Sequence, residues 1–247
     1  MKIDNVYIIT LDMSPEYQQN LIDRLSELKL PAGTNVEIKQ GFLGTRLRSG
    51  EKGLPYRLYD GWDLSENGND NFWWIRPVTD GEAGGCISHT QCWEDAYQNG
   101  YETIMIIEDD FIPFGPIDWT IFEELGDYYW DICLMSHNSL DHLYSDVAKP
   151  ATINLQNFIR PTYFYNTHTY LLQRPGIRKL VEDHLPVLKE NVIVSDEFLS
   201  AVITGHPRWD LRKMFIPNMI AIATKKDFTG QYRSEGLGNS LTEPDAL

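Results

Sequence analysis

The segment that most constrains the fold is Thr103-Ile104-Met105-Ile106-Ile107, which runs without a break into Glu108-Asp109-Asp110. An apolar run of this length has no polar face to turn toward water. It therefore reads as a strand buried on both sides, the habit of parallel sheets in α/β domains. Three carboxylates at its C-terminal end fall where open α/β sheets bind their ligands. Adjacent carboxylates repel one another, and a divalent cation is the usual means of neutralising them. The same residues also suit a solvated acidic turn that closes an ordinary strand, and the strand by itself gives the two readings equal weight.

The flanking segments supply the context. Val6-Tyr7-Ile8-Ile9-Thr10-Leu11 reads as a first strand, and Ser14-Pro15 offers a cap and a first-turn proline for a helix carrying Leu21, Ile22, Leu25 and Leu28. Pro31 and Gly33 stop that helix, and Val36-Glu37-Ile38-Lys39 alternates as a second strand. Thr79-Asp80-Gly81-Glu82 matches a capping box and predicts a helix from Asp80 to Gln98, ended by Asn99-Gly100. Strand, helix and strand in this order predict a mostly parallel α/β sheet. Further on, residues 131–135 predict a buried strand, 163–172 a β-prone aromatic stretch, and 175–181 a short helix. Ser195 reads as the cap of a helix carrying Asp196 and Glu197. Residues 41–78 are rich in Gly, Asn, Asp and aromatics without periodicity, and are too long for a plain connection; they read as a functional loop region. Trp62, Trp73 and Trp74 lie in it, suited either to stacking on sugars or to capping the core.

At 247 residues, with no repeat and no linker, the chain reads as a single domain. A formal charge of −15 argues against a duplex nucleic-acid binder, which would need a basic stripe, and against docking on anionic lipid, while leaving metal ions and metal-chelated anions open as ligands. Cys86, Cys92 and Cys133 show no CxxC spacing and read as reduced thiols. No apolar run approaches a membrane span and the start lacks a signal-peptide layout, so the expectation is a cytoplasmic protein without an integral membrane segment. None of the six histidines has HxxxH or HExxH spacing, which excludes a zinc protease.

The helix before the acidic cluster reads Gly81-Glu82-Ala83-Gly84-Gly85-Cys86-Ile87-Ser88-His89, then Trp93, with Asp110 seventeen residues further on. This layout resembles glycosyltransferase family 25, whose pattern is G-E-[IV]-G-C-x-x-S-H-x-x-x-W followed by a strand ending in E-D-D. Residues 6–12 resemble the family's V-Y-x-I-N-L-D start. Ser195-Asp196-Glu197-Phe198-Leu199 and Asp227-Phe228-Thr229-Gly230 resemble the V-D-E-F-L-P and H-Y-T-G segments of its procollagen galactosyltransferases. The resemblance thus spans nearly the whole chain in order, and its middle block is specific.

That resemblance implies a GT-A fold, with a nucleotide-sugar half over about residues 1–115. An acceptor half with a C-terminal metal and donor loop would follow over about 116–247. It implies Mn²⁺ or Mg²⁺ as cofactor and a UDP-hexose, galactose or glucose, as donor. Asp110 would be a direct ligand, Glu108 or Asp109 would hold metal, ribose or sugar, and Asp227 would be a late ligand where the procollagen enzymes carry histidine. Thr10, Leu11, Asp12 and Ser88 would line the donor, while Lys226 and Arg233, with Lys225, would reach the pyrophosphate. Asp196 would be the general base of an inverting displacement and Glu197 its alternate. Each has a plainer reading: Asp227 as an Asx turn, the lysines as solvated charges, the Asp196-Glu197 pair as first-turn acids, and His89 as a structural group packed near Trp93.

Two departures stand out. The arginine that follows N-L-D in the family is absent, with Met13, Tyr17 and Gln18 in the region instead, and Gly85 replaces the cysteine of G-C-x-x-S-H. The expectation is a metal-dependent inverting glycosyltransferase acting on a glycan, lipid-linked or protein acceptor. The competing expectations are a catalytically silent nucleotide-sugar or glycan binder and a UDP-sugar hydrolase.

Overall fold

The structure is a computed structural model that describes residues 1–69, 71–139 and 153–231. In chain order the elements are β1 (Asn5–Thr10), α1 (Pro15–Ser26), β2 (Asn35–Gln40), α2 (Gly44–Arg48), α3 (Asp80–Asn99), β3 (Thr103–Glu108), β4 (Phe111–Pro113) and β5 (Ile132–Leu134). There follow β6 (Asn138–Ser139), β7 (Phe158–Ile159), β8 (Phe164–Tyr165), β9 (Thr169–Gln173), α4 (Arg174–Lys179), α5 (Leu185–Glu190), α6 (Ser195–Thr204), α7 (Trp209–Met214), β10 (Ala221–Thr224) and β11 (Thr229–Gln231).

Seven strands form one sheet in the order β2-β1-β3-β9-β5-β10-β7. β2, β1 and β3 pair in parallel, as do β5 and β10. β9 is inserted antiparallel between β3 and β5, and β7 closes the edge antiparallel to β10. The expected α/β architecture, a central sheet flanked by helices, matches this arrangement, although three of the six strand pairings are antiparallel. Reversing β9 has a functional result. Its first residues lie at the C-terminal ends of β3 and β5, where Glu108 N–H bonds the His168 carbonyl at 2.9 Å and Met135 N–H bonds that of Thr169 at 3.0 Å.

Strand alternation divides the core between the two faces. Tyr7, Ile104, Ile106, Leu134, Tyr170 and Leu172 pack on the face covered by α3 and α6, while Val6, Ile8, Met105, Ile107, Cys133 and Leu171 pack on the face covered by α1. Ile104 to Ile107 are fully buried, as their unbroken apolar run predicts. All three thiols are free and buried.

α3 begins with the full capping box, the Thr79 side chain bonding Glu82 N–H and the Glu82 carboxylate bonding Thr79 N–H, and ends at Gly100 in the left-handed region. Ser195, read as a cap, is instead the first helical residue of α6. Val194 holds the extended cap position and no side chain caps the helix. The 175–181 helix extends further than expected, because a wide turn at Leu180–His184 carries α4 on into α5. Residues 41–78 contain α2 and two buried indoles, Trp62 and Trp74, so part of that stretch caps the core.

Two glycines let α3 approach the segment before it. A Cβ on Gly84 would stand 2.4 Å from the Phe42 carbonyl oxygen, and one on Gly44 would stand 1.8 Å from that of Asp80. A Cβ on the adjacent Gly85 meets nothing within 4 Å. Gly84→Ala is therefore expected to lower the urea unfolding free energy by about 1–3 kcal/mol through backbone displacement. Gly85→Ala should raise it by roughly 0.5–1 kcal/mol through helix propensity alone. Equal effects from the two substitutions would contradict this packing.

Candidate active site

The C-terminal ends of β1 and β3, the turn before β9 and the N-terminal turns of α3 and α6 surround a cleft of about 1220 Å³. Of the sequence-identified residues, Thr10, Leu11, Ser88, Glu108, Asp109, Asp110, Asp196 and Glu197 line it. Asp12 does not: it is exposed, and its carboxylate accepts from Ser14 N–H at 2.8 Å in an Asx turn that starts α1. Lys226 is exposed and lies outside the cleft lining, as does half-buried Asp227, while Lys225 Nζ bonds the Leu155 carbonyl at 2.7 Å. Arg233 lies outside the described residues.

Each member of the carboxylate trio has a different environment. Glu108, the last residue of β3, is met by His89 Nε2 at 3.0 Å. Behind it, Tyr170 OH is 2.7 Å from His89 Nδ1 and receives the Trp93 indole N–H at 3.0 Å. With a neutral imidazole, every group is satisfied in one direction: Trp93 donates to Tyr170, Tyr170 to Nδ1, and Nε2–H to Glu108. Burial pushes the Glu108 carboxyl up, but the hydrogen bond to His89 and the electrostatic attraction of the His89 and His168 rings outweigh it and hold the carboxyl below its ordinary range.

Asp109 accepts from the Thr10 hydroxyl at 2.6 Å, yet burial and Glu108 raise its pKa. Asp110 is the strained member. Burial, then the charges of Glu108 and Asp109, push it up to about 7. Its Oδ1 is buried and finds no hydrogen-bond partner among the described residues. Arg24, which the sequence reading missed, supports the turn: its guanidinium donates to the carbonyls of Asp109 at 2.6 Å and Phe111 at 2.7 Å and lies over the Phe111 ring. Its only sequence signal was a basic residue in the last turn of α1.

Asp196 and Glu197 differ sharply in environment. Asn166, held at φ 66°, and Thr167 turn their backbone N–H groups onto the Asp196 carboxylate at 2.9 and 3.1 Å, and the Thr167 hydroxyl adds a third bond. Burial raises the Asp196 pKa, with Glu108 adding to it against the Thr167 and backbone bonds. Glu197 is buried and takes four donors: Trp74 Nε1 at 2.9 Å, Tyr165 OH at 2.7 Å, His206 Nε2 at 2.5 Å and Tyr163 OH. A carboxylate saturated in this way ties loop, strand and helix together and has no lone-pair direction left for an incoming hydroxyl. Ser88 is similarly engaged, donating to the Gly84 carbonyl and accepting from Phe42 N–H at 2.8 Å.

The fit to a hard cation is set by Asp110. An orphaned carboxylate oxygen beside two other carboxylates is the oxygen donor that Mg²⁺ or Mn²⁺ takes. No group of three His, Cys, Asp or Glu side chains among the described residues forms a closed metal cage. A cation held here would complete its shell with ligand oxygens and water, as Mg²⁺ does at phosphate sites. Asp227 acts electrostatically on His168 and His137, whose Nδ1 atoms are both buried without partners among the described residues.

Comparison with known proteins follows the same lines. Residues 3–115 match the model of glycosyltransferase family 25 (LPS biosynthesis protein). A glycosyltransferase 25 family member of Aedes aegypti is 25% identical over 84% of this chain and 32% of its own length. The inactive glycosyltransferase 25 family member 3 of Homo sapiens is 24% identical over 87% of this chain and 34% of its own. Procollagen galactosyltransferase 1-B of Xenopus laevis is 24% identical over 87% and 33%. The chain thus spans about a third of the length of the curated relatives it matches. Among solved structures, A197 from STIV covers 92% of this chain and 83% of its own at a TM-score of 0.46 and 10% identity. Mouse xyloside xylosyltransferase 1 covers 90% and 96% at 0.39 and 14%. The resemblance to family 25 read from the motifs is borne out by the family model and these relatives. No described helix is long and apolar enough to cross a membrane.

An acid whose pKa is raised on folding binds its proton more tightly in the folded state. The stability that protonated Asp110 contributes is complete below its unfolded value of about 4 and is lost as pH rises through about 7. Asp110→Asn is thus expected to raise the urea midpoint of metal-free protein at about pH 8, with the gain vanishing toward about pH 4. A pH-independent effect would place Asp110 in an ordinary solvated environment.

Proposed function

We propose that this chain, similar to glycosyltransferase family 25 over most of its length, is a cation-dependent inverting hexosyltransferase that uses a UDP-sugar. The observation that carries the reading is the juxtaposition in one cleft of the Glu108-Asp109-Asp110 trio and the oriented carboxylate of Asp196. Among the described residues lining the cleft, eight are acidic and two, Arg24 and Arg76, are basic. A nucleoside diphosphate entering such a cleft requires a cation to offset both sets of charge. Asp110, with Glu108 or Asp109 beside it, would hold Mn²⁺ or Mg²⁺, which would supply that charge and offset the charge of a leaving diphosphate. Galactose as donor sugar is supported by the name of the Xenopus relative; glucose is the alternative.

This chain's own residues do the remaining work. Thr10 fixes Asp109, His89 fixes Glu108, and Arg24 fixes the turn that presents Asp110. Asp196 takes the acceptor hydroxyl proton. Its three donors come from one turn, leaving Oδ2 with a single donor and an open direction, and its raised pKa makes it a better proton acceptor. The second reading, a silent relative, is kept in view by the name of the human homologue. A glycan, lipid-linked or protein acceptor is compatible with the open cleft.

UDP release from a panel of UDP-sugars with Mn²⁺, Mg²⁺ or chelator tests the assignment. Cation-dependent release from one or two donors is the expected result, and absence of UDP-sugar binding in the same samples would overturn it. Asp110→Asn should abolish cation-dependent UDP binding in calorimetry, whereas unchanged affinity with Mn²⁺ would remove Asp110 from the site. Asp196→Asn should leave UDP binding intact and slow turnover by roughly a hundred-fold, and full activity would move the base elsewhere.

A further inference from the structure

We infer that the exposed indole of Trp73 is the platform for the acceptor sugar, and that the unit it takes is an uncharged pyranose. The inference rests on the transferase reading above and concerns another residue lining the same cleft.

Trp73 lines the cleft and is 42% exposed, while its chain neighbour Trp74 is buried. An indole left open to water inside a cleft offers a flat apolar face to a ligand. This indole is held in place. The Phe72 ring meets it edge-on, with centroids 5.5 Å apart at 79°. The Arg76 guanidinium stands 5.1 Å from its centroid, and Arg76 is fixed by a two-pronged pair with Glu82 at 2.9 and 2.5 Å. Glu82 in turn caps α3. A ring braced in this way loses little conformational freedom when a ligand stacks on it, which favours affinity at low entropic cost.

Its position sets which substrate it meets. Trp74 Nε1 is bonded to Glu197, and Glu197 adjoins Asp196, so the loop bearing Trp73 is tied to the element carrying the candidate base. The acceptor hydroxyl must approach that base, so the exposed indole on the tied loop of the same cleft is assigned to the acceptor. The flat, C–H-rich face of a pyranose matches an indole face, as an extended alkyl or peptide chain does less well.

The charge restriction follows from the cations. Arg24 is engaged by two backbone carbonyls and Arg76 by Glu82. Among the described residues lining the cleft no other lysine or arginine stands opposite the eight acids. A uronate or sugar phosphate placed on Trp73 would bring a further negative charge into an acidic cleft without a partner.

Saturation-transfer NMR on the full chain, with and without UDP and Mn²⁺, tests this directly. The probes are methyl β-galactoside, lactose and maltose, with galacturonate and glucose 6-phosphate as charged counterparts. The expected result is transfer to neutral sugars only, at least ten-fold weaker in Trp73→Ala and retained in Trp73→Tyr, with UDP affinity the same in all three proteins. Circular dichroism establishes that each variant is folded. Equal transfer in Trp73→Ala, no transfer to any neutral sugar from protein that binds UDP, or stronger transfer to the charged probes would overturn the inference. Displacement of the sugar by a dodecyl chain would assign the face to lipid and overturn it as well. Loss of UDP binding in wild-type protein would strike the donor-site reading alone, since the sugar measurement without UDP reports on Trp73 separately.

Discussion

Like-charge repulsion at the end of β3 governs the architecture around it. Of three consecutive carboxylates in a partly dry cleft, two are met by side chains from different elements, and the turn bearing the third is held by its backbone. His89 from α3 meets Glu108, Thr10 from β1 meets Asp109, and Arg24 from α1 grips the backbone of the turn that carries all three. What these contacts leave unbalanced is concentrated on Asp110. The fold therefore holds a local electrostatic deficit that a cation would relieve, at the sheet edge where ligands of α/β proteins bind.

The same logic explains the aromatic and histidine content of the face beneath α3. Glu108 is held low by a relay running back through His89 and Tyr170 to Trp93, and all three residues are buried in the core. Core packing and site electrostatics are thus properties of the same side chains. On the other flank Glu197 plays the equivalent part, joining residues 74, 163, 165 and 206 through one buried carboxylate. Removing the Glu197 carboxylate would leave several donors without partners, which is costlier than the loss of a single bond.

What was legible in the sequence was local. The Ile104–Ile107 run, the Thr79–Glu82 capping box and the Gly100 stop each carry their signal within a few residues. The acidic cluster and Asp196 were found through motif order, and both line one cleft. The illegible features depend on distant partners. Nothing near Glu197 announces that its four donors arrive from three separate segments, and nothing near Trp73 distinguishes it from the buried Trp62 and Trp74. Ser195 was misread as a cap because a hydroxyl residue before an acidic pair fits either of two positions, and only backbone geometry places Val194 there. The reversal of β9, preceded by Asn166 and Thr167 at the cleft, has no signature in its residue pattern.

One consequence concerns chemical labelling. All three native thiols lie in the core, and burial pushes each of them up, that of Cys86 to about 12. At neutral pH they are inert toward electrophiles that attack thiolates. Gly85 faces the cleft with open space around it, at the position where relatives of the motif carry cysteine. A single Gly85→Cys change would create one reactive handle on a silent background, beside the acidic trio, so that a dye or spin label attached there reports cleft occupancy without any native cysteine having to be removed.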